Sequence, residues 1–228
     1  MIFKIRGVEL EIEVHQDCCS TLVMKNKRFL RAVLNDLFDC TNGLNTFEIV
    51  LEKDCKALNI AKKVMVVNDY YQYDKIFKVL LSEVNKELEC CVNTDQDIKN
   101  KIEFQLNEIY RLFEFVLTDL DVELTYNDDI QISSLIKLLN FQFDLNVYTK
   151  SLDKLYLILD LISKYFSDKL LILINLTSYF EQYEITELIK YCKYKKINLL
   201  MIESNESDII YTDHLYLIDE DLDEFIVT

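Results

Sequence analysis

The sequence predicts an α/β protein with a largely parallel sheet and a helical arm inserted between the two halves of the sheet-bearing part. Three observations predict it. Short apolar runs alternate with helical periodicities at both ends of the 228-residue chain. Residues 70–120 instead carry two long seams of three- and four-residue steps. Proline is absent, and no glycine follows Gly43. The last observation also bears on function. Nucleotide-binding α/β proteins hold phosphate on glycine-rich turns that bring backbone N–H groups close to the ligand. Neither G-x-x-x-x-G-K-[ST] nor G-x-G-x-x-G can be built from Gly7 and Gly43.

Taken in order, Phe3–Ile5 and Val8–Val14 flank Arg6-Gly7 as a hairpin, with Val8, Leu10, Ile12 and Val14 alternating against Glu9, Glu11 and Glu13. The short run Leu22–Met24 leads into a helix over Lys27–Cys40, where Phe29, Leu30, Val33, Leu34 and Leu37 recur at helical spacing. Phe47–Leu51 and Val64–Val67 are strand candidates. In the arm, Tyr73, Phe77, Leu81, Val84, Leu88 and Cys91 form one seam, and Ile98, Ile102, Leu106, Ile109, Phe113, Val116 and Leu120 the other. Thr94, with Asp97 three residues on, marks the second helix start. Helices are predicted over Ile132–Leu139, Leu152–Phe166 and Glu184–Lys193, and strands over Leu170–Ile174, Ile197–Ile202 and His214–Ile218. Leu170–Ile174 is apolar throughout, as in a strand buried on both faces. Strand–helix–strand order of this kind makes parallel crossovers. The chain therefore divides into a discontinuous α/β part, 1–69 with 131–228, and a helical part, 70–130.

Half the residues are apolar and 12% aromatic, which excludes disorder. No apolar window approaches the ~18 residues of a membrane span, and MIFKIRGVELEIEVH is not a signal peptide, so a cytoplasmic protein is expected. Seven cysteines without a C-x-x-C, and two histidines far apart, make no zinc spacing; buried or half-buried free thiols are expected. The net charge is −15, unevenly spread: residues 1–69 balance, while 70–130 carry −8 and 131–228 carry −7.

The runs Lys169-Leu-Leu-Ile-Leu-Ile-Asn175, Asn198-Leu-Leu-Met-Ile-Glu203 and Leu217-Ile-Asp-Glu-Asp221 resemble the small CRISPR spacer-acquisition protein of type II-A systems, the second of the Csn proteins. Leu22-Val-Met-Lys25, Val64–Asp69 and Asp129–Leu139 resemble it too. The resemblance implies a P-loop-ATPase-like α/β head without the glycine loop, and a helical leg. It further implies a homotetrameric ring, calcium binding, and binding of linear double-stranded DNA ends in the central hole. Such a protein is a non-catalytic accessory of the CRISPR integrase complex and effector nuclease.

Lys53, Lys56, Lys62 and Lys63 fall within eleven residues. The residues alone leave open a solvated strip or a phosphate-neutralising surface, which needs cationic heads in reach but no fixed spacing. The resemblance favours the latter, inside a ring. Lys25, Lys27, Arg28 and Arg31 form a second strip at a helix start, where positive charge is unfavourable unless an anion is bound; Arg6 is a weaker candidate. Asp119, Asp121 and Glu123, followed by Asn127, Asp128 and Asp129, gather where a helix ends. A hard cation would relieve their repulsion, and a solvated acidic turn is the alternative. Leu124 and Ile130 exclude an EF-hand. The resemblance implies that Asp119, Asp121, Glu123, Asp128 and Asp129 ligate calcium at a hinge between leg and head. Asp219, Glu220, Asp221, Asp223 and Glu224 are read as a solvated tail. Two other readings stand beside this one. A degenerate P-loop-like nucleotide or phosphate hydrolase lacks its cradle and has Asn175 where a metal-binding aspartate belongs. A pure oligomeric scaffold would use the arm's seam alone.

Overall fold

The computed structural model describes residues 1–44, 46, 48–120, 131–205 and 212–227. The chain forms two compact units, Met1–Ile76 with Leu145–Thr228, and Phe77–Asp144.

The first unit is built on a six-stranded sheet. Its parallel part comprises β3 (Cys19–Met24), β6 (Val64–Val67), β7 (Leu170–Ile174), β8 (Asn198–Glu203) and β9 (His214–Ile218). The order runs β9-β3-β8-β7-β6, and β10 (Glu224–Val227) adds an antiparallel edge outside β9. The order of neighbours, with β3 flanked by two strands from far down the chain, follows from the crossovers. Every residue of β3, β7 and β8 is buried. This explains why β7 reads as an unbroken apolar run: a parallel strand covered on both faces has no solvent side to mark with polar residues.

A second, antiparallel sheet has the order β2-β1-β4-β5, from β1 (Ile2–Ile5), β2 (Ile12–Glu13), β4 (Ile49–Lys53) and β5 (Lys56–Leu58). Phe3, Ile12 and Leu51 from this sheet share one core with Leu22, Met24, Ile172, Leu200 and Ile218 from the other, and with Val33 and Leu37 of α1 (Lys27–Thr41). Truncating one such residue to alanine costs about 2–5 kcal/mol. The short helix α2 (Ile60–Lys63) leads directly into β6. Helices α6 (Ser151–Tyr165) and α7 (Gln182–Tyr194) bury Leu155, Ile158, Leu159, Leu188 and Ile189. They are tied together by Tyr191 donating to Asp160 at 2.6 Å and by Ser163 donating to the Lys195 carbonyl.

The second unit holds most of α3 (Asp74–Thr94), with α4 (Gln96–Asp119) and α5 (Ile132–Leu139). Phe77, Leu80, Ile132 and Ile136 are buried, and Phe77 packs on Phe143 with ring centroids 5.3 Å apart. No described side chain of α4 is buried. Its seam is mostly uncovered: Ile102 and Leu106 are partly buried, whereas Ile98, Ile109, Phe113, Val116 and Leu120 are exposed.

Several expectations are corrected. The cap of α4 is Asp95, whose carboxylate accepts from the N–H groups of Asp97 and Ile98; Thr94 ends α3, its hydroxyl bonded to the Cys90 and Cys91 carbonyls. An acid at the positive helix end and a hydroxyl folded back onto its own helix are both cheaper than the reverse. The expected strand Val8–Val14 shrinks to Ile12–Glu13, because the Glu9 and Leu10 N–H groups instead bond the Glu224 carboxylate. The expected acidic tail is instead a turn leading into β10. Three of the seven thiols, Cys55, Cys90 and Cys91, are exposed rather than buried. With glycine spent, left-handed turns fall to other residues, among them Asn140 (φ 47°) closing α5 and Asn175 (φ 51°) closing β7.

Candidate nucleic-acid interface

β4 and β5 are joined by only Asp54 and Cys55, both left-handed (φ 52° and 57°), the twist that suits a two-residue hairpin. This turn places Lys53 directly opposite Lys56. Like charges facing each other across an antiparallel pair are destabilising. Both lysines are exposed, and among the described residues neither has an ion-pair partner. The Met1 amino group donates to the Val14 carbonyl at 2.7 Å; burial first, and then the charge of Lys53, lowers its pKa. Lys62 and Lys63 sit on α2, which Ile60 anchors in the core and Asn59 caps through the Lys62 N–H at 3.1 Å. Lys62 is exposed. Lys63 is bonded to Asp168, and this holds the Asp168 carboxyl below its usual pKa. Three cations of the predicted four therefore stand open, and one is engaged.

The second strip has different surroundings. The whole step from β3 to α1 is Lys25-Asn26. Asn26 accepts from the N–H groups of Arg28 and Phe29, both at 3.1 Å, so the donors that would meet a phosphate are satisfied by the chain itself. Its amide donates to the Glu220 carbonyl at 2.7 Å, and Lys25 N–H donates to the Ile218 carbonyl. The acidic turn Asp219–Asp223 is thus tied through backbone carbonyls to Lys25 and Asn26 at the start of α1. Lys27, Arg28 and Arg31 are exposed on α1. Arg6 pairs with Glu48 at 3.4 Å.

Along the same end of the sheet, Asn175 follows β7; its buried Oδ1 has no hydrogen-bond partner among the described residues. Glu203, 1% exposed, ends β8 and accepts from the Thr177 hydroxyl at 2.7 Å and from its N–H at 3.3 Å. Tyr70 donates to the Ile174 carbonyl, and burial, then nearby Glu203, pushes its pKa well above the ordinary value. Sequence reasoning missed Asn26, Thr177 and Glu203. The Asn26 cap was readable as an asparagine just ahead of a helical periodicity; the Thr177–Glu203 bond had no local signal.

The sheet register separates the two basic groups. Val64 aligns with Leu170, Leu170 with Asn198, and Leu199 with Cys19. Lys63 is therefore level with the residues preceding β3, whereas Lys25 follows it, roughly 25 Å away along the strand direction at ~3.3 Å per residue. Lys53 belongs to the same end as Lys63, since Met1 and Val14 beside it adjoin Glu13, whose carbonyl accepts from Ser20 at the start of β3.

Of the acidic candidates, Asp119 is the last residue of α4, whose final turn contains no basic residue. Asp121, Glu123, Asp128 and Asp129 lie outside the described residues. Among the described residues no group of three or more His, Cys, Asp or Glu converges on a metal position, and no helix is long and apolar enough to cross a membrane.

No curated protein matches the chain. In fold it is similar to cbiO1 from Clostridium perfringens, part of the ABC transporter complex cbiONQ, at 14% identity and a TM-score of 0.51, over 95% of this chain and 78% of that one. MJ1267, an ATP-binding cassette of an ABC transporter in its ADP conformation, aligns at 14% identity and a TM-score of 0.49, over 96% of this chain and 85% of that one. The recombination mediator protein RecF of the RecFOR pathway aligns at 11% identity and a TM-score of 0.42, over 98% and 96%. Residues 43–222 match the family of CRISPR-associated proteins Cas_Csn2. That span contains β4 to β9, the lysine hairpin and all five acidic candidates, and on it the chain belongs to the Cas_Csn2 family of CRISPR-associated proteins.

Proposed function

We propose that the protein binds double-stranded DNA without reading its sequence, as a homotetrameric ring that admits linear ends, and serves spacer acquisition as a non-catalytic accessory. The opposed Lys53–Lys56 pair carries the reading. A fold that sets two unpaired cations face to face, with Lys62 nearby in sequence, gains when a polyanion covers them. Such contacts neutralise phosphates and release counterions without touching base edges. The negative total is no obstacle, since carboxylates more than ~8–10 Å away are largely screened at physiological salt.

Hydrolysis is disfavoured by the carboxyl end of the sheet: no glycine cradle, a self-capped α1, and asparagine at position 175. The exposed apolar residues of α4, Ile109, Phe113, Val116 and Leu120, support association of copies. They favour the scaffold reading equally, and DNA retention separates the two. For calcium, the donor set at Asp119, Asp121, Glu123, Asp128 and Asp129 is all carboxylate oxygen, the chemistry a hard cation takes. The uncompensated negative end of α4 adds to that fit. When bound, the ion would supply positive charge that neutralises these carboxylates.

The test is a mobility shift with linear and closed-circular duplexes, in calcium and in chelator, with sedimentation run alongside. Linear DNA should bind as a tetramer complex, circular DNA poorly, and chelator should weaken both assembly and binding. A calcium-independent monomer with no affinity for linear duplex contradicts the reading.

A further inference from the structure

Of the four sheet edges, three are guarded. β2 is two residues long; β5 is three residues and carries Lys56; β6 is largely buried. Short length, an edge lysine and coverage are the usual protections against another strand. β10 is also short, at four residues, but it has no lysine and is not covered. Its sequence is Glu-Phe-Ile-Val, with Phe225, Ile226 and Val227 exposed at 46%, 61% and 41%. β9 pairs with it on one side in the register Phe225↔Leu217 and Ile226↔Tyr216; among the described residues no strand flanks the other side.

The edge is also held ready. The Glu224 carboxylate accepts from the Glu9 and Leu10 N–H groups at 2.9 and 2.7 Å, fixing the start of the strand. The turn before it is fixed by Asp219, which accepts from the Asp221 and Asp223 N–H groups. That turn leaves Glu220, Asp221 and Asp223 exposed, and among the described residues none of the three has an ion-pair partner. A row of open backbone groups selects an extended polypeptide. Apolar side chains on both faces favour apolar neighbours, and three unpaired carboxylates at one end call for lysine or arginine there. A second copy offers the same lysine-free strand and leaves those carboxylates uncompensated.

We propose that β10 is a docking edge for an extended segment of another protein, with apolar residues along the strand and basic residues beside Asp221 and Asp223. The proposal is independent of the DNA reading, since it uses neither lysine group.

The test uses a labelled peptide, Lys-Lys-Thr-Val-Thr-Val-Thr-Lys-Lys, and the full chain. Its glutamate-flanked and proline-interrupted counterparts serve as comparisons. The basic peptide should bind and slow hydrogen exchange at the outward-facing Ile226 amide specifically. Asp221→Lys with Asp223→Lys, on an exposed turn that the fold does not need charged, should weaken binding about tenfold. Ile226→Pro, which removes one edge N–H, should abolish it, with circular dichroism confirming that the sheet persists. Equal binding of the glutamate-flanked peptide, exchange protection elsewhere, or no binding by any peptide would overturn the proposal. So would self-association of the chain without peptide that Ile226→Pro removes, which would assign the edge to a second copy.

Discussion

At the carboxyl end of the parallel sheet, Lys25 and Asn26 alone span the step from β3 to α1, and Asn26 occupies the helix N–H groups itself. At the amino end, the β4–β5 hairpin and α2 present Lys53, Lys56 and Lys62 with no ion-pair partner among the described residues. The first end is a strand-to-helix step with its N–H donors spent; the second has charge without a cradle. A cradle grips one terminal phosphate through fixed backbone donors and needs glycine to let the ligand approach. Point charges on a hairpin tip need only reach a repeating backbone, and a chain with two glycines can build them. The difference separates two kinds of phosphate recognition: a backbone cradle, which two glycines cannot build here, and point charges, which this chain can present.

The largest effect should come from reversing charge at each end in turn. Lys53→Glu, Lys56→Glu and Lys62→Glu together should cost more than about a hundredfold in affinity for a linear duplex. The same change at Lys25, Lys27 and Arg28, at a helix start whose N–H groups Asn26 already caps, should cost only several-fold. Comparable losses at both ends would break the comparison. Next, millimolar ATP with magnesium should leave the melting temperature unchanged. A ligand present at a hundred times its Kd stabilises by about 2.7 kcal/mol, so even modest binding would be visible. Third, Asn26→Ala should destabilise by about 1 kcal/mol in denaturant titrations, whereas Asn26→Gly should cost only a few tenths. A neutral alanine variant would mean that the cap does not close the helix end.

Much of this fold was legible because largely buried strands read as short apolar runs. Leu170–Ile174, Val64–Val67 and His214–Ile218 match β7, β6 and β9 residue for residue. β10 was not legible: four residues after an acidic run give no period, and its identity as a strand comes from pairing with β9. The lysine group was visible as a cluster in sequence. Its strain was not, because the Lys53–Lys56 opposition depends on Asp54 and Cys55 adopting left-handed backbone without glycine. The tie between the start of α1 and the acidic turn was also hidden, since Asn26 and Glu220 meet across 194 residues of chain. The acidic candidates remain a sequence reading, with only the end of α4 at Asp119 among the described structure.

The smallest predicted effect is a pH dependence at the amino end. The hydrogen bond from Lys63, acting against burial, lowers the Asp168 pKa below its unfolded value. A depressed folded pKa contributes stability that is present above the unfolded value, near ~4, and is lost as pH falls through the folded one. The pair is largely exposed, so the contribution is screened and slight. Asp168→Asn should flatten the acid limb of a stability–pH curve by a small amount and, by freeing Lys63, should not lower neutral-pH DNA affinity. Lost affinity would place Asp168 in the binding surface.

The central claim is that duplex DNA is held by the lysines of the β4–β5 hairpin and α2 rather than by the closed carboxyl end. Its most direct test is the slope of log K against log salt for the native chain and for Lys53→Ala, Lys56→Ala and Lys62→Ala combined. Each phosphate that is no longer neutralised should reduce the slope by about 0.9, so the variant's slope should fall by several units when copies bind together. An unchanged slope, with DNA still retained, would contradict the account.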